Sequence, residues 1–507
     1  MKFYITTAID YVNAKPHIGH ALEKIQADVL ARYHRAKGDE VWFLTGVDVH
    51  GLKNFRAAEA VGQKPEDFTS ENSAFFKNLK NILNLSWDDF ISTGDQDRHW
   101  PGVQKLWNRL YEAGDLYKKN YKGFYCVGCE AFITEKELVD GKCSIHQKAP
   151  ETIEQENWFF RLSKYSKEIE SRIKNDELRI IPETRKNEIL SFIESGLEDV
   201  SFSRQKKDLP WGIPVPNDPD QVMYVWCDAL SNYITAIGYG SANSGQRTAA
   251  GYMNDPSSKL QAPSSMFHDL WPADLHVIGK DILRFHAAIW PGMLIAAGLP
   301  LPKSIFAHGF ITVEGQKMSK TLGNIIDPAE LVEKYGTDAV RYYLLREIST
   351  YEDGDYGSKK FEKRYNADLA NGIGNLVARV AALGERIMPV KFSFEKDIED
   401  SVKKECGRIF ADYEKSISEI KLNESLASAW ELVSIADKYI NEKKPWAVKD
   451  AEEFKKIIAN SCYLIGVINN LISPFIPLTA EKISEQISYS ESAFKIKKGE
   501  TLFPRLN

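Results

Sequence analysis

Residues 10–20 read DYVNAKPHIGH and lie between an apolar run, Phe3 to Ala8, and an amphipathic segment that ends at Arg35. An apolar run, a turn with Asn, Pro and Gly, and an amphipathic segment predict a strand, a loop and a helix, the first half of a βαβ unit. His17 and His20 then lie where the helix begins, an end whose unpaired N–H groups and positive dipole favour phosphate. A single histidine is more often structural, so this interpretation needs support from elsewhere in the chain.

Length and composition indicate a large soluble protein. The 507 residues suffice for roughly three or four domains of about 150 residues each. With 43% apolar and 27% charged residues, a net charge of −6 and no apolar run that could span a bilayer, we expect no membrane anchoring. The first residues enter a strand pattern without a leader pattern, so we expect a cytoplasmic protein. Six cysteines in so long a chain do not form a disulfide framework.

The stretch after the first predicted helix lies where a ligand would bind. Val41 to Leu44 is predicted as a short strand that leads into TGVDVHG, residues 45–51. In a doubly wound sheet, ligands bind at the carboxyl ends of the strands. Asp48 and His50 are therefore candidate ligand contacts, although local turn hydrogen bonding explains the same residues. From Lys64 to Gly114 the pattern is helical, with no chemistry apparent.

Two short cysteine motifs predict a metal site. Cys126 and Cys129 form a C-x-x-C pair, and Cys143 and His146 form a C-x-x-H pair. Three thiolates and one imidazole complete a tetrahedral Zn²⁺ shell and leave no position for a substrate water, so the predicted zinc is structural, one ion per chain. Buried free thiols beside an unrelated histidine remain the alternative.

Later segments return to alternating strands and helices. The prolines of residues 209–216 mark a boundary, after which residues 223–233 predict a strand and a helix. We therefore expect a Rossmann-type doubly wound parallel sheet that is split by an insertion. Residues 275–286 repeat the pattern of strand, glycine turn and helix. Asp281 and His286 could flank a pocket floored by Ile282, or His286 could simply be a buried, hydrogen-bonded histidine.

A lysine-bearing loop follows the last predicted strand, Ile305 to Ile311. It contains Lys317-Met318-Ser319-Lys320. Two lysines in a short loop are usually solvated charge. Their position after a strand of the same sheet makes a phosphate clamp an alternative, because a flexible ammonium can follow charge that moves in a transition state.

The rest of the chain predicts an α-helical bundle. The predicted helices are Tyr335 to Glu347, Phe361 to Leu383, Ile398 to Ile417, Glu424 to Asn441 and Ala451 to Ser488. Asn371, Asn375 and Arg379 are spaced to share one helical face, and Trp446 lies in the turn KKPW. Such a polar stripe with an indole could bind unpaired bases. A solvated face with a packing tryptophan is the alternative that the residues alone favour.

Together, PHIGH at residues 16–20 and KMSKT at residues 317–321 resemble the two signatures of class I aminoacyl-tRNA synthetases. Other stretches resemble the methionyl-tRNA synthetase family in the same order: TGVDVHGLK, VWCDALSNY, IGKDILRFH, KMSKTLGN, RYYLLRE and KKPW. The resemblance covers almost the whole chain. It implies ATP-dependent ligation of methionine to tRNA(Met) through methionyl-adenylate, with release of AMP and diphosphate and with Mg²⁺ accompanying ATP.

The resemblance also implies residue roles. His17, His20, Lys317 and Lys320 would be catalytic. The implied ATP-binding residues are Tyr11, His17, Gly19, His20, Lys317, Met318, Ser319 and Lys320. The implied methionine-binding residues are Ile9, Tyr11, Asp48, Trp226, Ala229, Leu230, Tyr233, Ile282 and His286, with Asp48 for the ammonium group. Asn371, Asn375, Arg379 and Trp446 would read the anticodon.

The implied domain order is a split catalytic domain followed by a helical one. We expect a first Rossmann half at 1–115, a connective insertion with the zinc knuckle at 116–222, a second Rossmann half at 223–325, a stem-contact region at 326–358 and an α-helical anticodon-binding domain at 359–507. We expect no further tRNA-binding domain after the helical one, and therefore a monomer. The Gly/Ser-rich stretch Gly238 to Pro263 receives no function.

The sequence departs from the family pattern at a few positions. Val47 and Val49 replace polar residues of the usual TGTDEHG, and Thr321 replaces a common serine. Ala8 and Asp10 replace a common proline and a common aromatic residue, and no role is evident for Asp10. The alternatives to a methionine enzyme are a class I synthetase for cysteine, leucine, isoleucine or valine, and a tRNA-binding paralogue without catalysis. The first would have another metal or editing arrangement, and the second would not need intact signatures.

Overall fold

The computed structural model describes residues 1–128, 130–133, 138–144, 147–241, 264–318, 322–387, 390–489 and 493–506. The chain forms two compact units. The first comprises Met1–Pro16, His34–Asn81 and Leu85–His308, and the second comprises His17–Tyr33, Ile82–Asn84 and Gly309–Asn507. Among the described helices, none is both long and apolar enough to span a bilayer.

The first part of the chain alternates strands with helices. Its elements are β1 (Lys2–Tyr11), α1 (Ile18–Ala36), β2 (Glu40–Asp48), α2 (Leu52–Ala60), α3 (Pro65–Ile82), β3 (Asp89–Ser92) and α4 (Trp100–Glu112). The predicted strand, loop and helix around residues 10–20 are confirmed, although β1 continues through Asp10 to Tyr11. The prediction of uniform helix from Lys64 to Gly114 is wrong at β3, because this four-residue strand is defined by its pairing with β2.

The next part is mainly β-structure. Its elements are β4 (Leu116–Cys126), β5 (Ala131–Ile133), β6 (Leu138–Val139), β7 (Lys142–Cys143), β8 (Glu151–Phe160), a 3-10 turn (Leu162–Tyr165), α5 (Ser166–Lys174), β9 (Arg179–Ile181), α6 (Glu183–Glu194), β10 (Val200–Ser201), β11 (Ser203–Gln205), β12 (Pro214–Val215) and β13 (Asp218–Met223). Four antiparallel strands form one sheet in the order β10-β8-β4-β5, and β11-β13-β12 form another.

The third part returns to the parallel sheet. Its elements are α7 (Val225–Leu230), α8 (Asn232–Thr235), α9 (Ser264–Leu270), β14 (Leu275–Gly279), a 3-10 turn (Lys280–Ile282), a π-helical segment (Phe285–Ile289), α10 (Trp290–Ala296) and β15 (Ser304–His308). Residues 242–263, which include most of the Gly/Ser-rich stretch, lie outside the described residues.

The C-terminal part is mainly helical. Its elements are β16 (Ile311–Val313), β17 (Gln316–Lys317), α11 (Pro328–Tyr335), α12 (Thr337–Arg346), β18 (Gly354–Tyr356), α13 (Ser358–Arg364), a π-helical segment (Tyr365–Gly374), α14 (Asn375–Gly384), a 3-10 turn (Glu385–Ile387), β19 (Val390–Lys391), α15 (Phe394–Asp397), α16 (Asp400–Ser418), α17 (Leu422–Lys443), a 3-10 turn (Pro445–Ala447), α18 (Ala451–Ile472), α19 (Pro477–Gln486), β20 (Ile487–Tyr489) and β21 (Ala493–Ile496). The predicted all-α bundle also contains a small sheet, β19-β21-β20.

A six-stranded sheet organises the first unit. Its strand order is β3-β2-β1-β14-β15-β9, and every neighbouring pair is parallel. The predicted parallel sheet, interrupted between β3 and β14, is therefore confirmed. Its central strands are almost completely buried, as expected for a parallel sheet that is covered on both faces.

Two strands of the middle region differ from prediction. Residues 223–233 do not restart the large sheet with a strand, because β13 pairs antiparallel with β11 and β12. The large sheet resumes with β14 instead. Its last strand, β9, comes from within residues 116–222 and pairs with β15. The segment predicted as an insertion therefore contributes an edge strand to the sheet that it interrupts.

Candidate functional site

The first turn of α1 in the second unit holds the two histidines close together. The His17 and His20 ring centroids lie 3.9 Å apart. The backbone N–H of Gly19 donates to His17 Nδ1 at 3.1 Å, and the backbone N–H of His17 donates to His20 Nδ1 at 3.1 Å. Because Nδ1 accepts in both rings, the proton of each neutral ring belongs on Nε2, which is a donor suited to a phosphate oxygen.

Within the second unit, the lysine-bearing segment approaches this turn at Gly19. A Cβ atom at Gly19 would lie 2.9 Å from His17 Cε1 and 3.8 Å from Met318 Cε. The glycine therefore leaves room for the His17 ring. Lys317 ends β17 and is exposed, and Asn324 Nδ2 donates to its carbonyl at 3.2 Å. Ser319, Lys320 and Thr321 lie outside the described residues.

The carboxyl ends of β1 and β2 place the predicted methionine residues together in the first unit. Tyr11 is the register partner of Asp48, and Ile9 pairs with Gly46 after an irregularity in β1. Trp226, Ala229 and Leu230 lie on α7, and the rest follow on α8, the 3-10 turn and the π-helical segment: Tyr233, Ile282 and His286. The apolar members other than Ala229 belong to, or pack against, one core cluster that is continuous with the sheet.

Aromatic contacts organise this cluster. The Trp226 ring stacks on Phe285 with a centroid distance of 3.8 Å, and it meets Tyr11 and His286 edge-on at 6.4 and 6.3 Å. The Tyr233 hydroxyl lies 2.7 Å from His286 Nε2, and His286 Nδ1 lies 3.0 Å from the Ile282 carbonyl. A carbonyl only accepts, so Nδ1 carries a proton and donates to it. His286 is thus a buried, hydrogen-bonded histidine that also contacts Trp226.

Asp48 is the buried carboxylate of this edge. Its side chain is 2% exposed, and its Oδ1 accepts from the backbone N–H of His50 and from the Thr93 hydroxyl, both at 3.1 Å. Burial, and then the negative charge of Asp228, raise the pKa of Asp48 well above its usual range. A carboxylate that is desolvated beside a second carboxylate is stabilised by a cation, such as an ammonium group.

Asp228 and His99 are site residues that the sequence interpretation missed. Asp228 faces His50 Nδ1 at 2.5 Å and His99 Nε2 at 2.7 Å, and His99 Nδ1 lies 2.7 Å from the Thr235 hydroxyl. Burial alone would raise the pKa of Asp228, but the two imidazoles hold it below its usual range. These partners are 178 and 129 residues away along the chain, and no local motif signals them.

Two buried polar atoms beside Asp48 have no hydrogen-bond partner among the described residues. They are the Tyr11 hydroxyl and His50 Nε2. Buried polar groups are normally satisfied, so an orphaned pair next to a carboxylate points to a ligand or to water. This edge therefore combines an apolar aromatic wall with polar atoms at one end, which suits an apolar amino acid.

Glu130 connects the predicted metal knuckle to the same edge. It is 1% exposed with a positive φ of 51°, and Tyr125 donates to its Oε2 at 2.5 Å. Its Oε1 accepts from the backbone N–H of Lys53 at the start of α2. Of the predicted zinc ligands, Cys126 and Cys143 are buried, whereas Cys129 and His146 lie outside the described residues. Within the described part of the chain, no group of three or more metal-ligating side chains occurs.

The predicted anticodon residues lie on the helical part of the second unit. Arg379 donates to Asp437 Oδ1 and to Asn441 Oδ1, both at 2.7 Å, and its guanidinium lies 5.7 Å from the Trp446 ring centroid. Trp446 is 56% exposed in the turn after α17. The structure therefore brings Arg379 and Trp446 together, as a half-buried guanidinium beside an exposed ring.

The two asparagines occupy a helix that is not uniform. Asn371 lies in the π-helical segment, where Gly372 departs from helical geometry (φ −86°, ψ −106°), and Asn375 begins α14. The predicted helix is therefore interrupted by a kink at Gly372, and both asparagine side chains are exposed. A cavity of about 480 Å³ lies here, lined by Asn371, Gly372, Val433, Ser434, Asp437, Lys438, Asn441 and Glu442.

Comparisons with known proteins cover the whole chain. A family model described as tRNA synthetases class I (M) matches residues 3–143 and 129–381, and one described as the anticodon-binding domain of tRNA ligase matches residues 401–502. The methionine–tRNA ligase of Caldanaerobacter subterraneus is 41% identical over 530 aligned residues, which cover 100% of this chain and 79% of the relative. That of Rhizobium meliloti is 42% identical and covers 96% of this chain and 92% of the relative.

A solved structure agrees with these relatives. Mycobacterium tuberculosis methionyl-tRNA synthetase in complex with methionyl-adenylate superposes with a TM-score of 0.90 at 36% sequence identity, covering 99% of this chain and 100% of that chain. The apo form of the same enzyme gives a TM-score of 0.82 at 34% identity, covering 100% of this chain and 98% of that chain.

Proposed function

This chain belongs to the methionyl-tRNA synthetases of class I, and from that membership we propose that it joins L-methionine to tRNA(Met) with ATP. It is a methionine–tRNA ligase whose intermediate is methionyl-adenylate. The observation that carries this function is the similarity to methionine–tRNA ligases, which spans the whole chain at 41% identity. Two signature segments on one unit and an apolar amino-acid edge on the other agree with it.

The reaction has two steps. The methionine carboxylate attacks the α-phosphorus of ATP, and diphosphate leaves with the electrons of the broken P–O bond. A hydroxyl of the terminal ribose of the tRNA then attacks the activated carbonyl, and AMP leaves. Neither step needs a covalent enzyme intermediate, so the protein acts by positioning its reactants and stabilising charge.

The ATP end is assigned to the signature residues. His17 and His20 would donate from Nε2 to phosphate oxygens at the start of α1, where the helix dipole also favours negative charge. Gly19 leaves room for the nucleotide beside the backbone. Lys317, Met318, Ser319 and Lys320 would close on the triphosphate, and Mg²⁺ would be held mainly by phosphate and water.

The methionine end is assigned to the edge that contains Asp48. The Asp48 carboxylate would bind the substrate ammonium. The Tyr11 hydroxyl and His50 Nε2, which have no hydrogen-bond partner among the described residues, lie nearby. The apolar thioether would pack against the aromatic wall, because sulfur contacts aromatic rings favourably. The wall consists of Ile9, Tyr11, Trp226, Ala229, Leu230, Tyr233, Ile282 and His286.

Binding of the tRNA anticodon is assigned to the surface of the helical region. Trp446 and Arg379 offer a ring and a guanidinium plane on which unpaired bases stack, and Asn371 and Asn375 offer amides that pair with base edges. The exposure of Trp446 supports this role over core packing. We infer that the surface reads the CAU anticodon.

A structural zinc is proposed for the knuckle. The set of three thiolates and one imidazole suits Zn²⁺, and the two described ligands, Cys126 and Cys143, are buried where β4 and β7 end. We expect about one zinc per chain in protein purified without chelators. Replacing Cys126 with Ser should lower that content, whereas replacing the buried Cys462 on α18 with Ser should not. Metal-free wild-type protein would contradict the assignment.

The experiment that tests the function is amino-acid-dependent exchange of diphosphate into ATP, measured with each of the twenty amino acids. We expect exchange with methionine alone. Exchange with cysteine, leucine, isoleucine or valine in its place would indicate another class I specificity. No exchange with any amino acid, by protein that still binds tRNA, would indicate a non-catalytic paralogue.

Oligomeric state and location remain proposals. We infer a monomer, for which light scattering should give a mass near 57.5 kDa rather than twice that value. We also infer that the enzyme acts in the cytoplasm, since the tRNA, methionine and ATP that it uses meet there during translation.

A further inference from the structure

Arg341 is an arginine without solvent contact whose role neither the motifs nor the comparisons explain. It lies on α12 and is 0% exposed. Its guanidinium donates from Nε to the Phe475 carbonyl at 2.7 Å, from Nη1 to Leu83 at 3.1 Å and from Nη2 to Pro474 at 3.0 Å. A buried arginine is tolerated only when its charge and its N–H groups are matched, so this position is strongly specified.

The charge partner of Arg341 lies on the helix that begins with the signature histidines. Arg341 Nη2 and Asp28 Oδ2 are 2.8 Å apart, and the Asp28 side chain is also 0% exposed. Arg32 Nε, one turn further along α1, donates to the same oxygen at 2.8 Å. At 1.5 Å per residue, Asp28 lies roughly 15 Å along the helix from Ile18. The ion pair therefore fixes the middle of α1 to α12.

The beginning of α1 is held by the chain that leads into the same helices. The backbone N–H of Ile18 donates to the Ile326 carbonyl at 3.1 Å. The next residue, Asp327, caps α11 by accepting from the backbone N–H of Ala329 at 2.8 Å. A single residue, Gly336, then joins α11 to α12, with a φ of 85° that favours glycine. The beginning of α1 is thus bonded to the residue that lies just before the cap of α11, and the middle of α1 is bonded to α12.

This pair also follows directly on the lysine-bearing segment. Lys317 and Met318 lie fewer than a dozen residues before Asp327, and Met318 Cε approaches Gly19. We propose that Arg341, acting through Asp28, is a positioning residue that holds His17 and His20 in place at the start of α1, beside Met318. The proposal rests on the proposed function and adds a residue that touches no substrate.

Displacement of His17 and His20 should change the enzyme kinetics in a specific way. A small displacement of groups that bind a reacting phosphate weakens both ATP binding and catalysis. The residues assigned to methionine belong to the other compact unit. Loss of the ion pair should therefore act on ATP and leave the response to methionine unchanged.

The main test is D28N, assayed by methionine-dependent exchange of diphosphate into ATP. Asparagine keeps the size of the side chain and removes the charge, while Arg341 retains its three carbonyl acceptors. We expect the KM for ATP to rise about tenfold or more and the KM for methionine to stay within about twofold. R341K keeps the positive charge but loses the planar guanidinium, and it should likewise raise the KM for ATP and leave the KM for methionine unchanged. If D28N does not accumulate as folded protein, R341K is the variant that tests the proposal.

D115N is the matched control. Asp115 is a buried carboxylate of the first unit that accepts from Lys164 Nζ at 2.7 Å and from the Tyr165 hydroxyl at 2.5 Å. It should lose thermal stability as D28N does, with the KM for ATP unchanged after normalisation to active sites. The proposal is overturned if D28N or R341K keeps the wild-type KM for ATP, or if the KM values for ATP and methionine rise together. Absence of exchange in the wild type would instead contradict the proposed function.

Discussion

Asp48 shows how a single carboxylate can be prepared for an ammonium ligand. It is buried, its carboxylate accepts from two neutral donors among the described residues, Thr93 and the backbone of His50, and the negative Asp228 lies nearby. In this state the ionised form of Asp48 is disfavoured, so an arriving cation relieves an unfavourable charge. On the proposed assignment, Asp48 would bind the ammonium group that every amino acid carries, and the aromatic wall would select the side chain.

Replacing Asp48 with Asn should weaken methionine binding. Loss of a charge-assisted hydrogen bond of about 1.5–3 kcal/mol corresponds to a rise in the KM for methionine of roughly 10- to 150-fold. The KM for ATP should change little. The measurement is exchange kinetics at varied methionine, with D115N as a buried-carboxylate control. An unchanged KM for methionine in D48N would move the ammonium site elsewhere.

Asp228 should set the pH range over which methionine binds. The raised pKa of Asp48 means that this carboxyl becomes neutral as pH falls through that pKa, so the wild-type KM for methionine should rise on the acid side. Because the charge of Asp228 contributes to the raised pKa, D228N should move this rise to lower pH. Methionine titrations across a pH series test this, with D48N as the control that should lack the acid limb. A shift to higher pH in D228N would contradict the electrostatic explanation.

Individual site residues were predictable to the extent that they lie in local motifs. His17, His20 and Asp48 follow strands of the sheet, and strand ends are visible in the sequence. Asp228 and His99 were missed because they contact residues that are distant in sequence: Asp228 lies 129 residues from His99 and 178 residues from His50. Glu130 was missed for the same reason, since only the folded chain shows that it holds the start of α2.

Among the helices, the segment from Ser358 to Gly384 departs from regular α-helical geometry beside residues assigned to tRNA. It passes from α13 through a π-helical segment into α14, with the departure at Gly372 beside Asn371. Irregular turns of this kind are frequent at functional sites, because they redirect side chains that a regular helix would stack on one face. The cavity at this point adjoins the Arg379 network.

Replacing Trp446 with Ala should impair tRNA charging and spare methionine activation. Stacking of a base on an aromatic ring is worth about 1–3 kcal/mol, so the KM for tRNA should rise roughly 5- to 150-fold. Exchange of diphosphate into ATP, which needs no tRNA, should keep its wild-type rate. F410A removes another exposed ring of the second unit, on α16, and should charge tRNA normally. Equal losses of W446A in both assays would contradict the anticodon role.

Strands were harder to predict than helices in this chain. The amphipathic pattern of α1 and of the bundle helices is local, and their bounds agree with prediction to within a few residues apart from the break before Pro477. The short strands β3 and β9 depend on neighbours that are distant in sequence. The strand predicted at the start of residues 223–233 is wrong, because β13 ends at Met223 and α7 begins at Val225.

The two compact units divide the chemistry between them. The first unit holds the residues assigned to methionine, and the second holds the described signature residues assigned to ATP together with the surface proposed to read tRNA. Composition and motif order sufficed to predict this combination of a parallel sheet and a helical region. They could not predict that residues 17–33, which follow β1 directly, pack with the helical unit, since that depends on buried contacts such as Asp28 with Arg341.

The most direct test of the central claim is charging of tRNA by the intact chain with methionine. Two transcripts should be compared, one with the CAU anticodon and one that differs only at an anticodon base. We expect methionyl-tRNA to form rapidly with the CAU transcript, to require ATP, and to fall by orders of magnitude with the altered anticodon. Equal charging of both transcripts, or charging of the CAU transcript with another amino acid in place of methionine, would contradict the claim.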